Sequence, residues 1–297
     1  FGVALFFLLS GFLMALLYLG SDFSKSQVRR FVIARAARVL PLFFAIALAS
    51  FALHAISLSN LLYPINDWQS LLSHLLLMRG VSILWTIPVE IHFYGVFILL
   101  WWIHAKKSGV LFILLAVAML ALRGFHMPVF EGELYGLAYS VLLLRCFCYF
   151  AIGLAFGRLY SVWRPSENMK SSFYVLSFLL ILSQYPKISE SLVGRSYALW
   201  SDFGVIACMA FAFFLLVFFV PDDSRVLSNR IGDFLGKISY SLYLLHVPIL
   251  FKIRGPASER PLLWLLLFLC LCIAASYLSY RFIESPSRKL IRSGLAA

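Results

Sequence analysis

The residues of this chain best suited to chemistry are ionisable side chains close to long apolar runs. Arg35 and Arg38 stand three positions apart just before Pro41, so they share one face of a helix. Such a pair either snorkels to phospholipid headgroups as a membrane anchor or directs two guanidinium groups at a phosphorylated ligand. The spacing by itself favours the anchor.

Glu90 is the acidic candidate. Thr86 can cap a helix and Pro88 suits a first turn, so Glu90 is predicted near a helix N-terminus, where the dipole stabilises a carboxylate. The apolar stretch that follows puts this acid at or below a membrane surface, and ionisable residues there are functional candidates by default. Tyr94 lies one turn further on. We therefore predict a functional role for Glu90, supported by Tyr94.

A polar stripe is predicted on a later apolar helix, because Ser239, Tyr243 and His246 fall at positions i, i+4 and i+7. A single histidine in a span is more often a packing residue than a catalyst. Three polar residues on one face are harder to explain by packing, since each unsatisfied polar group costs free energy in hydrocarbon.

Glu284 is a weaker candidate near the end of the chain. It can pair with Arg281 one turn back, whereas Pro286 disfavours helix at the residue before it and makes a pairing with Arg288 doubtful. We expect Glu284 to be a structural cap at the end of the last span.

Long apolar runs are the elements that must position these residues. Hydrophobic residues make up 62% of the chain and charged residues 13%, and the mean hydropathy is +0.92. Soluble domains are nearer half apolar and a quarter charged, so an all-α polytopic transmembrane bundle is predicted. About nine spans are expected, at 1–20, 39–59, 84–104, 109–123, 135–160, 172–188, 202–220, 236–252 and 262–282.

The run at 135–160 contains Arg145 about a third of the way along. If this run is a single span, the charge must face protein or water, so Arg145 is predicted to line a polar cavity.

The cysteines and the motif search give no metal site. All five cysteines lie within apolar runs and are predicted to be small core residues rather than disulfides or metal ligands. The motifs GxSxG, HExxH and CxxC and the Walker loop are absent.

Most of the 25 lysines and arginines lie in alternate segments between the runs, such as 21–38, 105–108 and 221–237. The positive-inside bias places these segments, and the C-terminus, in the cytoplasm. The net charge of +12 has the same origin. Membrane lipid is therefore a predicted partner and nucleic acid is not.

The sequence lacks an initiator Met and opens inside an apolar run. We expect a fragment that lacks at least one upstream helix, which would give the intact protein ten spans. No linker, low-complexity tract or internal repeat is evident, so 1–297 is predicted to be a single integral-membrane domain, truncated at its N-terminus.

Five segments, taken in order, resemble the acyltransferase-3 family of polytopic membrane O-acyltransferases. They are Gly2–Phe12, Phe31–Pro41, Leu84–Tyr94, Ser239–His246 and Arg281–Pro286. Each is weak alone, but together, in this order, they are spread across nearly the entire chain. The resemblance implies a ten-helix bundle in the bacterial cytoplasmic membrane that transfers an acyl group, commonly acetyl, from acyl-CoA to a hydroxyl. The acceptor would be a cell-surface or exported polysaccharide of the envelope, or a lipid-linked sugar. Acyl-CoA is then a co-substrate, and no bound cofactor is expected.

The resemblance also implies roles for the candidate residues. Arg35 and Arg38 match a family motif associated with the acyl donor, which now favours donor binding over anchoring. Glu90 and His246 are the candidate catalytic residues. The residues predicted to line the cavity are Ser10, Trp85, Tyr94, Arg145, Ser239 and Tyr243.

The chain departs from the family pattern at one point. Family members carry in their first helix an arginine and, further along it, a histidine thought essential to catalysis, and this sequence begins after that helix. His246 lies in a different helix and is not its equivalent by default. In the intact protein we expect that histidine to be the general base, with Glu90 orienting it or the acceptor.

Two other functions stay open. In a secondary transporter or flippase for a small solute or lipid-linked glycan, Glu90, Arg145 and His246 would relay protons or bind the solute. Transporters commonly show internal repeats, and no such symmetry is evident here. A non-catalytic remnant that only binds ligand is the third possibility.

Overall fold

The computed structural model describes residues 1–58, 61–124, 129–170, 173–194, 198–253 and 261–293. Its helices in chain order are α1 (Gly2–Met14), α2 (Lys25–Ala55), α3 (Trp68–Leu75), α4 (Thr86–Lys106), α5 (Ser108–Gly124), α6 (Leu143–Val162), α7 (Phe173–Ser183), α8 (Pro186–Val193), α9 (Phe203–Phe218), α10 (Arg230–Ile253), α11 (Pro261–Ser279) and α12 (Ser285–Ser293). The end of the span predicted at 39–59 and the last four residues of the chain lie outside the described residues.

Six helical segments are long and apolar enough to cross a membrane, counted over the residues that the structure describes. They are Gly2–Leu19, Lys25–Ala55, Ser82–Lys106, Leu143–Val162, Arg230–Ile253 and Pro261–Ile291. Three shorter apolar helices cover Gly109–Leu120, Phe173–Ser183 and Phe203–Phe218. An all-α integral membrane protein is thus confirmed as the fold class, whereas the count of nine spans stays a prediction.

The segment predicted as a cytoplasmic loop at 21–38 is largely helical, because α2 begins at Lys25 and continues without a break past Pro41. Its first turns combine arginine, glutamine and alanine, which are good helix formers. A search for apolar runs finds the part of a helix that suits a bilayer and misses a polar extension of the same helix. Arg35 and Arg38 therefore lie on α2 itself.

The predicted span at 135–160 is wrong in its first third. Residues 130–141 form a hairpin of two strands, β1 (Phe130–Leu134) and β2 (Leu137–Val141). Tyr135 and Gly136 both adopt positive φ, at 51° and 75°, which is the geometry of the tightest hairpin turns. Helix α6 begins only at Leu143.

Contacts within the chain define two units. The first comprises Phe1–Ser24, Val89–Phe130 and Val141–Arg225, and the second comprises Lys25–Pro88, Glu131–Ser140 and Val226–Ala297.

The first unit is organised around the contact between α1 and α6. A Cβ atom added to Gly153 would collide with the carbonyl oxygen of Leu8, and one added to Gly11 would collide with that of Phe150. Small residues allow helix backbones in membranes to approach this closely. Beside them the rings of Phe93 and Phe150 stack with centroids 3.6 Å apart. This packing fixes α1 against its neighbours.

Replacement of Gly153 by alanine is expected to lower stability by about 1–3 kcal/mol, because the new methyl group would force the α1 and α6 backbones apart. Gly95→Ala is the matched control, since a Cβ there meets nothing within 4 Å. Thermal unfolding in detergent should show a lower midpoint for the first variant only. Equal midpoints would mean that α1 and α6 do not need this close approach.

The second unit joins α10 to earlier parts of the chain through tyrosines. Tyr240 donates from its hydroxyl to the Val39 carbonyl at 2.6 Å, and Tyr63 donates to the Leu244 carbonyl, also at 2.6 Å. Tyr240 and Tyr63 are both buried. They fix the position of α10 relative to α2 and to the segment that follows α2.

His74 connects α3 to the chain that leads into α4. Its ring is buried, with Nδ1 2.6 Å from the Ser70 carbonyl oxygen and Nε2 accepting from the Val81 backbone N–H at 3.0 Å. This pattern requires the neutral ring with its proton on Nδ1. Burial lowers the pKa of His74, and the positive charge of Arg79 acts in the same direction.

Stability is expected to fall as the pH drops below about 6.5, the ordinary pKa of histidine. The unfolded chain binds a proton at His74 there, whereas the folded protein keeps the ring neutral, so protonation favours unfolding. His74→Gln should unfold at a lower temperature at pH 7.5 and lose less between pH 7.5 and 5.5. Parallel pH profiles for the two proteins would contradict the assignment.

Candidate functional site

Glu90 lies in the second turn of α4 and is 4% exposed. Its Oε1 accepts hydrogen bonds from the hydroxyl groups of Ser10, at 3.3 Å, and of Tyr94. Ser10 on α1 and Tyr94 on α4 are also buried. The three predicted residues therefore form one cluster in the first unit, in which two neutral donors hold a carboxylate.

The N-terminus of α4 differs from the prediction. A 3₁₀ turn, Ser82–Trp85, leads directly into α4. The Thr86 hydroxyl donates to the Ile83 carbonyl at 3.1 Å rather than accepting from the helix backbone, so Thr86 is not an N-cap of the expected kind. Glu90 consequently lies further inside helical structure, which makes its burial costlier than a place at a free helix end.

The polar stripe on α10 exists, but its side chains bond to backbone carbonyl oxygens rather than to one another's side chains. Ser239 donates to the Gly236 carbonyl at 2.9 Å, and Tyr243 donates to the Ile83 carbonyl at 3.1 Å. His246 places Nδ1 2.8 Å from the Tyr243 carbonyl oxygen. Each polar group is satisfied by backbone, so these contacts alone also fit a packing role. This stripe lies in the second unit and Glu90 lies in the first.

Arg145 and Trp85 occupy places that the sequence did not anticipate. Arg145 is exposed in the first turn of α6 rather than deep in a span, because the hairpin takes up the preceding residues. Its guanidinium carbon lies 6.0 Å from the centre of the Trp200 ring. Trp85 is half-buried in the 3₁₀ turn. The run is therefore not a single span, so the condition on which a cavity position was predicted for Arg145 is not met, and its role as a lining residue stays a prediction.

The two arginines of the predicted donor motif differ in environment. Arg35 is 7% exposed. Arg38 lines a cavity of about 370 Å³ in the second unit. The whole lining is Arg38, Gly232, Asp233, Gly236, Lys237, Ser239, Tyr240 and Arg288. The pair shares a helix face as predicted, yet only Arg38 belongs to this lining.

Glu284 is 1% exposed and bonds to residues from two directions. Its Oε2 accepts from Arg288 Nη2 at 2.7 Å, and its Oε1 accepts from the Ser241 hydroxyl. The pairing with Arg288, which Pro286 made doubtful from the sequence, is present. A π-helical turn, Tyr280–Glu284, passes directly into α12, and Pro286 falls in the first turn of that helix, where its ring is tolerated.

A comparison with protein families decides the class of this molecule. The model of the acyltransferase-3 family, described as an acyltransferase domain, matches residues 1–281. The chain belongs to this family. The resemblance drawn from five segments is thereby confirmed over nearly the whole length.

Curated relatives of this acyltransferase-3 chain come from Staphylococcus aureus. Proteins named "Putative O-acetyltransferase" in strains COL, MSSA476 and MRSA252 are each 25% identical to it over 329 residues. The alignment covers 97% of this chain and 52% of each relative. The chain thus spans about half the length of the curated relatives it matches. No solved structure matches it.

Several residues around the acyltransferase-3 motifs were missed by sequence reasoning. Lys237 was counted only as a cytoplasmic cation, Arg288 was considered only as a doubtful partner of Glu284, and Asp233 and Ser241 were not singled out. A partial signal existed, because Gly232 and Gly236 stand one turn apart at the start of α10 and leave one face of it bare. The other two lining cations, Arg38 and Arg288, could not be predicted to face that surface, because they come from α2 and α12 and reach it only through tertiary packing.

Proposed function

We propose that the protein is a membrane O-acyltransferase of the bacterial cytoplasmic membrane. It moves an acyl group, most simply acetyl, from acyl-CoA to a hydroxyl of a cell-surface or exported polysaccharide or a lipid-linked sugar. The family match over residues 1–281 carries the proposal. The buried carboxylate cluster and the cation-lined cavity support it, since the reaction needs proton transfer and a phosphorylated donor.

The reaction forms one bond and breaks another. The acceptor oxygen attacks the thioester carbonyl carbon, a C–O bond forms and the C–S bond breaks. The hydroxyl proton passes to a general base and from there to the departing thiolate, so the products are an ester and free CoA. The family resemblance implies a histidine as the base.

Glu90 is proposed to orient that base or the acceptor hydroxyl. A carboxylate held by Ser10 and Tyr94 keeps one position, and a fixed carboxylate can hold an imidazole in the tautomer that catalysis requires. His246 is a further candidate, and its role stays a prediction. Arg35 and Arg38 are proposed to bind the donor, with Arg38 placed at the cavity.

The test uses the full-length protein in proteoliposomes supplied with acetyl-CoA labelled in its acetyl group. With envelope glycan present, alkali-labile label should appear on carbohydrate, with one free CoA thiol for each ester. Movement of a glycan or solute across the bilayer without covalent label would identify a transporter or flippase instead. Thioester hydrolysis with no acylated product would remove the acceptor class from the proposal.

A further inference from the structure

The cavity in the second unit carries more positive charge than the donor motif alone supplies. Arg38 from α2, Lys237 from α10 and Arg288 from α12 all line it, and Asp233 is the one carboxylate among its lining residues. Arg288 is paired with Glu284 behind the cavity, and the three cations still outnumber the two carboxylates Asp233 and Glu284, so the cavity suits an anionic ligand.

Two glycines make the space. Gly232 and Gly236 lie one turn apart in the lining, so this face of α10 has no side chains there. A Cβ atom added to Gly236 would meet nothing within 4 Å, whereas one added to Gly232 would lie 2.9 Å from the Leu227 carbonyl oxygen. Helix α10 therefore has no side chain on this part of the cavity wall. The Gly232 N–H already donates to the Asn229 side chain at 2.8 Å, so the side-chain cations of the lining are the groups that suit an anion.

The walls are held in place before any ligand arrives. Tyr240 lines the cavity and bonds to the carbonyl of Val39, the residue next to Arg38. Arg288 is fixed by its ion pair with buried Glu284. Glu284 is in turn fixed by the Ser241 hydroxyl, which lies 3.1 Å from that of Ser279. This chain of contacts sets the direction of the Arg288 guanidinium group.

We propose that this cavity binds phosphate groups, with Arg38, Lys237 and Arg288 as the binding cations and Glu284 as a positioning residue for Arg288. Resting on the proposed function, the inference names the nucleotide bisphosphate portion of acyl-CoA as the occupant. A phospholipid headgroup offers the same phosphate chemistry, and the experiment separates the two sources. Asp233 opposes the anion and sets how closely a phosphate can approach its side of the cavity.

The first experiment measures the binding of adenosine 3′,5′-bisphosphate to the full chain in neutral detergent by isothermal titration calorimetry. Lys237→Gln and Arg288→Gln should each weaken binding about tenfold or more, because each removes a charge-assisted contact. Arg230→Gln is the matched control, since Arg230 is exposed in the same helix and lies outside the lining. Asp233→Asn should tighten binding, and Gly236→Leu should abolish it by filling the space.

Glu284→Gln tests whether Glu284 acts by orienting Arg288 or only through its negative charge. The substitution makes the cavity more positive, so simple attraction would strengthen anion binding. If Glu284 orients Arg288, binding should instead weaken, and the same change in the Arg288→Gln background should have no further effect. Tighter binding by Glu284→Gln would overturn the positioning role. All variants are compared at equal helix content and monodispersity.

The second experiment repeats the titration in nanodiscs of neutral lipid and of lipid containing phosphatidic acid. If the bisphosphate binds in neither nanodisc, while phosphatidic acid binds to the wild-type protein and the same substitutions remove that binding, the cavity belongs to a headgroup and the donor assignment is overturned. No anion binding in either setting, or equal binding by Arg38→Gln/Lys237→Gln/Arg288→Gln, would overturn the site. Bisphosphate binding without acetyl transfer would leave the site standing and refute the proposed function.

Discussion

Glu90→Gln is expected to lower the rate of acyl transfer by about 10²–10⁴-fold while the protein still folds. Glutamine has nearly the shape of glutamate and keeps an oxygen that can accept from Ser10 and Tyr94. The substitution removes the negative charge and the capacity to bind a proton. Because the substitution hardly changes the volume of the side chain, a lower rate would reflect a lost catalytic role rather than lost packing.

The expected result depends on where the carboxylate lies. Glu90 is buried on α4, and the hydroxyl groups of Ser10 and Tyr94 both donate to its Oε1. Burying a carboxyl group in a membrane span costs free energy that an apolar residue at the same position would not cost. Ionisable residues inside membrane segments are functional candidates by default, so the burial of Glu90 favours a functional role.

The measurement is the initial rate of labelled acetyl transfer by full-length protein, at saturating acetyl-CoA, with thermal midpoints recorded in parallel. Tyr94→Phe should give an intermediate loss, since it removes one of the two donors and leaves the charge. Glu190→Gln, at an exposed position on α8, is the matched control and should behave as wild type. Normal acetylation by Glu90→Gln would refute the role given to this residue.

The helices were predictable because apolar runs of span length have few other stable structures in a membrane protein. The predictions of spans failed where the composition of a segment does not indicate its conformation. The basic start of α2 is helical without being apolar, and the hairpin at 130–141 is apolar enough to pass as part of a span. The turn at Tyr135 and Gly136 depends on positive φ angles, which a hydropathy profile does not register.

The site was predictable in its residue types and only partly in its contacts. Spacing placed Tyr94 one turn from Glu90, and the structure joins them. Helical spacing cannot name partners on other helices. Ser10 and Glu90 are 80 positions apart, and Ser241 and Glu284 are 43 apart. Such pairs form through tertiary packing, so the cavity on α10 emerged only from the folded chain.

Arg38→Gln is expected to raise the KM for acetyl-CoA about tenfold or more and to leave kcat nearly unchanged. An ion pair with a donor phosphate forms on binding and persists through the reaction, so its loss weakens substrate and transition state alike. A hydrogen bond to a charged group is worth about 1.5–3 kcal/mol, which corresponds to about 10–150-fold in affinity. Arg38 is a suitable residue for this test because its side chain lines the cavity, whereas Arg35 is buried beside it on the same helix.

The same substitution decides between the two interpretations of the arginine pair. If Arg38 is a membrane anchor, its loss should leave KM unchanged, and Arg30→Gln should behave identically, since Arg30 is an exposed arginine on the same helix. If Arg38 binds the donor, Arg30→Gln should match wild type. Arg38→Lys should then recover only part of the affinity, because lysine keeps the charge and loses the two-pronged contact. A fall in kcat with an unchanged KM would instead place Arg38 at the reacting atoms. The separate changes in KM and kcat thus assign the arginine to the lipid, the donor or the chemistry.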